Sequence, residues 1–128
     1  MFATFLTSAF LHGNQFQVWA VLLSLGIFTY VEDRIRYKLA IRYNASICAR
    51  LKRDDSFKYG ETSFWILAIN LLFSLLSIVH LAYLGAVFNQ FVEPDEEPHW
   101  TDTIETWRDL GFFSHLFFLA VYLISFAI

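Results

Sequence analysis

The chain has 128 residues, of which 57% are hydrophobic, 20% are aromatic and only 16% are charged, and its formal net charge is −3. Soluble domains carry about 25% charged residues, so this composition excludes an ordinary soluble domain. The stretches 1–31, 64–88 and 111–128 contain no Asp, Glu, Lys or Arg. Three uncharged apolar blocks predict an all-α polytopic membrane protein with about three transmembrane helices.

The first block, 1–31, is longer than a single membrane crossing needs. The polar residues His12-Gly13-Asn14, within "SAFLHGNQF", divide it into two apolar pieces. Either one long tilted helix or a helix broken near His12-Gly13 fits this pattern. Broken helices at membrane depth occur where protein or a water-filled cavity surrounds the break.

The segment that follows, 32–62, is strongly basic and predicts a juxtamembrane helix. It contains eight of the nine basic residues of the chain, so the positive-inside rule places it in the cytosol. Its apolar residues recur every fourth position, at Ile35, Leu39, Tyr43, Ile47 and Leu51. A helix on the membrane surface or a continuation of the first transmembrane helix would give this pattern. A packed helix inside a larger membrane protein would give it equally well.

The rest of the chain also alternates between uncharged apolar blocks and a charged segment. As a helix, block 64–88 would span roughly 37 Å, against a hydrocarbon core of about 30 Å. The loop 89–110 carries seven acidic residues and one arginine, so we expect it on the lumenal side. Asp102 and Glu105 have capping-box spacing and predict a short helix there, with Ile104 and Trp107 on its apolar face. Block 111–128 is close to the minimum length for a span.

Histidines within apolar blocks are the first candidates for function, since ionisable residues in membrane segments are costly. There are three, His12, His80 and His115. A hydrogen bond within its own helix or to another helix is sufficient to explain His80. A position near the membrane interface is sufficient to explain His115. His12 differs because a glycine and two amides follow it directly. A neutral buried imidazole there is a competent general base.

Other chemistries find little support in the residues. No two histidines have the spacing of a helical metal site and no carboxylate lies inside any block, so the sequence predicts neither a metal site nor a serine-protease-like triad. We found no glycine-rich phosphate loop, and we expect no bound cofactor. The basic segment is juxtamembrane, so we also expect no nucleic-acid partner.

Two longer stretches of the sequence resemble a known family. "SAFLHGNQFQVWAVLLSLGIFTYVEDRIRYKLA" and "INLLFSLLSIVHLAYLGAVF" are similar to the C-terminal part of the membrane-bound O-acyltransferase family, most specifically in the pairing of "LHG" with "HLAYLG". The resemblance implies a multi-pass enzyme of the endoplasmic reticulum membrane. That enzyme would transfer a monounsaturated palmitoleoyl group from acyl-coenzyme A, its co-substrate, to a serine of Wnt proteins.

The resemblance also implies a role for one residue and a limit on the chain. The active-site histidine of the family falls on His12, which would take the proton of the acceptor serine. The second active-site residue of the family, an asparagine, lies upstream of the histidine, so Asn14 does not match it. We therefore expect residues 1–128 to be a fragment of a larger membrane-bound O-acyltransferase fold. The alternatives are a non-catalytic three-span protein that binds lipid or partner helices, and an inactive truncated product.

Overall fold

A computed structural model describes residues 2–11, 15–47, 57–60, 63–89 and 99–128. The regular structure of these residues is helical, as predicted, apart from one isolated bridge between Ala45 and Tyr59. The helices are α1 (Phe2–Leu11), α2 (Phe16–Tyr43), α3 (Phe64–Gly85), α4 (Trp100–Asp109) and α5 (Phe113–Ala127), and a 3-10 turn, Ala86–Asn89, continues α3.

One helix is long and apolar enough by itself to cross a membrane. It is the 26-residue unit Phe64–Asn89, in the place where the sequence predicts the second span. Helices α4 and α5 qualify only as a pair, and a bend of 74° separates them. Among the described residues there are thus one or two candidate spans, none of them in block 1–31, so the three predicted spans stay a prediction.

The first block forms two helices rather than one. Helix α1 ends at Leu11 and α2 begins at Phe16, on either side of the predicted break near His12-Gly13. Helix α2 has 28 residues, or about 42 Å, and runs without interruption from the apolar block into the basic segment. The first part of the basic segment, up to Tyr43, is therefore a continuation of α2, one of the three arrangements that the apolar stripe predicts.

The predicted stripe extends further than the helix does. Helix α2 ends at Tyr43, because Asn44 adopts the left-handed conformation with φ 49°, which asparagine tolerates better than most residues. The side chain of Asn44 then accepts a hydrogen bond of 3.2 Å from the backbone N–H of Lys58. Ile47 is buried, but outside any helix, and Leu51 lies outside the described residues.

The main core lies where α2, α3, α4 and α5 meet. It consists of Phe28, Val31, Tyr83, Leu84, Val87, Trp107 and Phe118. At its centre the rings of Phe28 and Phe118 are stacked with centroids 4.3 Å apart. Because each helix supplies at least one member, this core fixes the position of the short helix α4 against the longer ones.

The cap of α4 differs from the predicted one by one turn. The helix begins at Trp100, and the carboxylate of Asp102 accepts a hydrogen bond of 2.9 Å from the backbone N–H of His99. Asp102 is thus the third residue of the helix, and the expected pairing with Glu105 is wrong. Trp107 is buried as predicted, whereas Ile104 is exposed, since only the side with Trp107 packs on the core.

The bend between α4 and α5 consists of two consecutive left-handed residues, Gly111 with φ 66° and Phe112 with φ 48°. The N–H of Gly111 donates to the carbonyl of Arg108, and the N–H of Phe112 donates to that of Trp107. Helix α5 starts only after this turn, at Phe113, two residues later than the uncharged block.

Gly111→Ala tests this turn. We expect it to lower the free energy of unfolding by about 1 kcal/mol, because a Cβ disfavours the left-handed conformation. Gly85→Ala is the matched control, since Gly85 is helical and has open space around it, so alanine there should be neutral or stabilising. Unfolding in mixed micelles, followed by tryptophan fluorescence, measures both. Equal effects would contradict the turn described here.

Candidate functional site

His12, the predicted catalytic residue, lies outside the described residues. The helix ends on either side of it are described, at Leu11 and Phe16. The two helices touch through Phe10 and Trp19, whose ring centroids are 4.7 Å apart in an edge-to-face arrangement. The structure thus locates the two helices that His12 joins, and the role of His12 as a base stays a prediction.

A cavity of about 490 Å³ lies beside the first turns of α2. It is lined by Phe16, Trp19, Ala20, Leu23, Ser24 and Trp107. Because all of these side chains except Ser24 are predominantly apolar, the cavity suits a hydrocarbon group better than a charged one. It lies at the end of α2 that follows His12 in the chain.

His80 is buried in the middle of the helix packing. Its Nδ1 shares a hydrogen bond with the hydroxyl of Ser114 at the start of α5, and its ring packs against Phe118 with centroids 4.3 Å apart. An interhelical hydrogen bond was one of the explanations predicted for His80. Its partner is neither Ser77 nor Tyr83, the residues at helical spacing. Among the residues that the structure describes, Nε2 of His80 has no hydrogen-bond partner.

His115 contacts both α2 and α3, and its predicted position near the membrane interface stays a prediction. Its Nδ1 is 2.8 Å from the hydroxyl of Tyr83, and its Nε2 is 3.2 Å from the hydroxyl of Ser24. The ring also packs on Trp107, with centroids 4.8 Å apart. Both nitrogens are hydrogen-bonded, so this imidazole is a connector between α2 and α3 rather than a free base.

The two imidazoles are separated by Phe28. Its ring centroid is 5.7 Å from that of His80 and 5.2 Å from that of His115. The described hydrogen bonds do not join the two histidines to one another. The pair therefore orders three helices around an aromatic ring, and only Nε2 of His80 is left to accept or donate a further bond.

A charged cluster that the sequence analysis did not identify lies one turn further along α2. The carboxylate of Glu32 pairs with Arg36 at 2.8 Å and accepts a hydrogen bond of 2.8 Å from the hydroxyl of Ser77. Arg36 also donates to the side-chain oxygen of Asn70 at 3.2 Å, and its guanidinium lies over the ring of Phe73, 4.3 Å from the centroid.

This cluster corrects one premise of the sequence analysis. Glu32 is the first residue after the uncharged block 1–31, yet its carboxylate contacts Ser77, near the middle of α3. A carboxylate thus does lie against a candidate span. The spacing of Glu32 and Arg36, four residues apart on a helix, was the signal that could have identified the pair. No histidine lies between Glu32 and Ser77, so they do not form a triad.

Metal chemistry has no support among the described residues, where no group of three or more His, Cys, Asp or Glu side chains could hold an ion. The polar groups of the bundle instead form hydrogen bonds and the buried ion pair of Glu32 with Arg36. These groups position the helices, and Nε2 of His80 is the buried imidazole nitrogen that has no partner among the described residues.

Comparison with known proteins finds relatives that all carry the same protein name. No family model matches the chain. It is 37% identical over 115 residues to the human protein-serine O-palmitoleoyltransferase porcupine, which is 88% of this chain and 25% of the human protein. Its identity to the porcupine of Anopheles gambiae is 33% over 130 residues, and to that of Drosophila melanogaster 31% over 134 residues.

These relatives bear on the predicted resemblance in two ways. The similarity extends over 98% of this chain in the Anopheles protein and 95% in the Drosophila protein. The resemblance read from the sequence is therefore confirmed. The chain spans about a quarter of the length of each of these relatives.

Glu32→Gln tests the charged cluster. Because it leaves the guanidinium of Arg36 buried without a counter-ion, we expect the free energy of unfolding to fall by about 3 kcal/mol. Glu105→Gln is the matched control, since Glu105 forms an exposed ion pair with Arg108 at 3.7 Å, and such pairs contribute about 0–1 kcal/mol. Unfolding in mixed micelles compares the two. Equal losses would mean that the Glu32 pair is not buried.

Proposed function

We propose that this chain, a homologue of the porcupine proteins over most of its own length, forms part of a membrane-bound protein-serine O-acyltransferase. The donor would be an acyl-coenzyme A, palmitoleoyl-coenzyme A by analogy with the names of the relatives, and the acceptor a serine of Wnt proteins. The observation that supports this most strongly is the identity of 31–37% to five porcupine sequences.

In this proposal His12 is the general base. It takes the proton of the acceptor hydroxyl as that oxygen attacks the thioester carbonyl carbon. The tetrahedral intermediate then collapses, the bond from carbon to sulfur breaks, and the proton passes from His12 to the departing thiolate. Acid and base steps of this kind contribute about 10²–10⁴-fold to a rate, and they need the reacting groups within about 3 Å of each other.

The described residues around His12 are compatible with this role. Helix α1 ends at Leu11 and α2 begins at Phe16, so His12 lies in the chain between two helix ends, and a membrane tolerates such a break beside protein or a cavity. The apolar cavity lined by Phe16, Trp19 and Leu23 lies next to that break and would accept part of an acyl chain. The basic segment 32–62 would raise the local concentration of anionic coenzyme A on the cytosolic side.

A chimera tests the role of His12. In cells that lack endogenous porcupine, human porcupine carrying residues 1–128 in place of its matching segment should acylate a Wnt protein, measured by incorporation of a clickable palmitoleate analogue. We expect His12→Ala in this chimera to lower incorporation at least about 100-fold, because the base is lost. His99→Ala, at an exposed histidine outside the apolar blocks, should leave it unchanged.

The outcomes of this experiment separate the candidate functions. Normal acylation by the His12→Ala chimera at equal protein level would refute the catalytic role. A chimera that is inactive with every histidine intact, yet is present in the membrane at the normal level, would favour the alternative of a non-catalytic protein that binds lipid or partner helices.

We also propose that the protein is a multi-pass protein of the endoplasmic reticulum, with segment 32–62 in the cytosol and loop 89–110 in the lumen. A glycosylation sequon in a Gly-Ser insert between Pro94 and Asp95 should then be modified in microsomes, as a shift in gel mobility reports. Asn44-Ala45-Ser46 also matches the glycosylation sequon and should stay unmodified, because the basic segment would face the cytosol. The reverse pattern would invert the proposed orientation.

A further inference from the structure

A second cavity, of about 360 Å³, forms a groove between α2 and α5. Its walls are mostly apolar, with Ile27, Tyr30 and Val31 on α2 and Phe118 and Leu119 on α5. Ile27, Tyr30 and Leu119 are 49%, 53% and 55% exposed, so the groove is open along its side. In a bilayer such an opening faces lipid, and a hydrocarbon chain could enter the groove without passing through water.

Two cations on α2 lie beyond the lining of this groove: Arg34, which contacts two of the lining residues, and Lys38, one turn further along the helix. The Nε of Arg34 donates to the hydroxyl of Ser125 at 3.0 Å, and its guanidinium lies 4.7 Å from the centroid of the Phe126 ring. The ammonium of Lys38 donates to the carbonyl oxygen of Ser125. Tyr30, which lines the groove, is hydrogen-bonded to Arg34 at 3.4 Å. The ring of Tyr122, also in the lining, lies 5.7 Å from this guanidinium.

These cations lack the counter-charge that Arg36 on the same helix has. Within the described ranges no carboxylate is at ion-pair distance from Arg34 or Lys38, whereas Arg36 is paired with Glu32. Contacts with the last turn of α5 are favourable for cations, and they explain where the two side chains lie. They do not use all of the donors, because a guanidinium has five N–H groups and an ammonium three.

We propose that this groove binds an anionic phospholipid, with its phosphate near Arg34 and Lys38 and one acyl chain along Ile27, Phe118 and Leu119. Basic pockets between transmembrane helices hold anionic headgroups in this way. The lining favours a lipid over an acyl-coenzyme A, since the cations are followed at once by apolar and aromatic side chains. In an acyl-coenzyme A a long polar arm with two amides separates the phosphates from the acyl chain.

This site is independent of the proposed acyl transfer and can be tested on the purified 128-residue chain in detergent. Native mass spectrometry would count lipids retained after addition of phosphatidylserine or of phosphatidylcholine with identical acyl chains. We expect one phosphatidylserine per chain and little phosphatidylcholine. Arg34→Gln and Lys38→Gln should each weaken retention about fivefold, since each cation near a lipid surface contributes about that factor.

Matched variants distinguish a built site from general positive charge. Arg42→Gln removes an exposed cation one turn further along α2 and should leave retention unchanged. Leu119→Trp, which fills the groove while keeping the contacts of Ser125, should lower retention, and Leu123→Trp, on a part of α5 outside the lining, should not. This pair keeps the test valid if loss of Arg34 loosens α5.

Three results would overturn the proposal. One is equal loss of retention on Arg42→Gln and Arg34→Gln. Another is equal binding of phosphatidylserine and phosphatidylcholine by the unchanged chain. The third is displacement of the bound phosphatidylserine by an equimolar amount of palmitoleoyl-coenzyme A, which would identify the groove as part of a substrate site.

Discussion

The packing of the bundle depends on one row of side chains along α2. Ser24, Phe28, Glu32 and Arg36 follow one another at every fourth position, so they form a continuous stripe on the helix. Each of them meets a specific partner on another helix, through a hydrogen bond or ring packing. Because unpaired polar groups are costly away from water, these partners fix the register of α3 and α5 against α2.

This row explains why the sequence predicted the helices better than their arrangement. The uncharged blocks and the four-residue recurrence of apolar side chains indicated helices on the basis of local composition alone. Ser77, the partner of Glu32, is 45 residues away in the chain, and Ser24, a partner of His115, is 91 residues away. No local sequence pattern contains such partners. Helix ends were missed where one backbone conformation decided them, at Asn44 and at Gly111 with Phe112.

The candidate site divides in the same way. His12 could be singled out from the sequence because a polar break inside an apolar block is a local signal, and the ends of α1 and α2 agree with that break. The bonds of His80 and His115 could not, since a lone histidine on an apolar helix gives no indication of its partner. Of the two, His115 uses both ring nitrogens for hydrogen bonds to other helices, so its role in this arrangement is structural.

The charges of α2 show how one helix can combine two functions. Glu32 and Arg36 point toward α3 and neutralise each other. Their burial is tolerable because Asn70 and Ser77 provide further hydrogen bonds to the ion pair. Arg34 lies between these two residues in the chain and Lys38 follows them. Both face α5, where they contact only neutral oxygens and aromatic rings. Since successive residues on a helix are about 100° apart, Arg34 and Arg36 are on opposite sides although only one residue separates them. The side facing α3 is therefore electrically balanced and holds the bundle together, whereas the side facing α5 keeps a net positive charge beside an apolar groove.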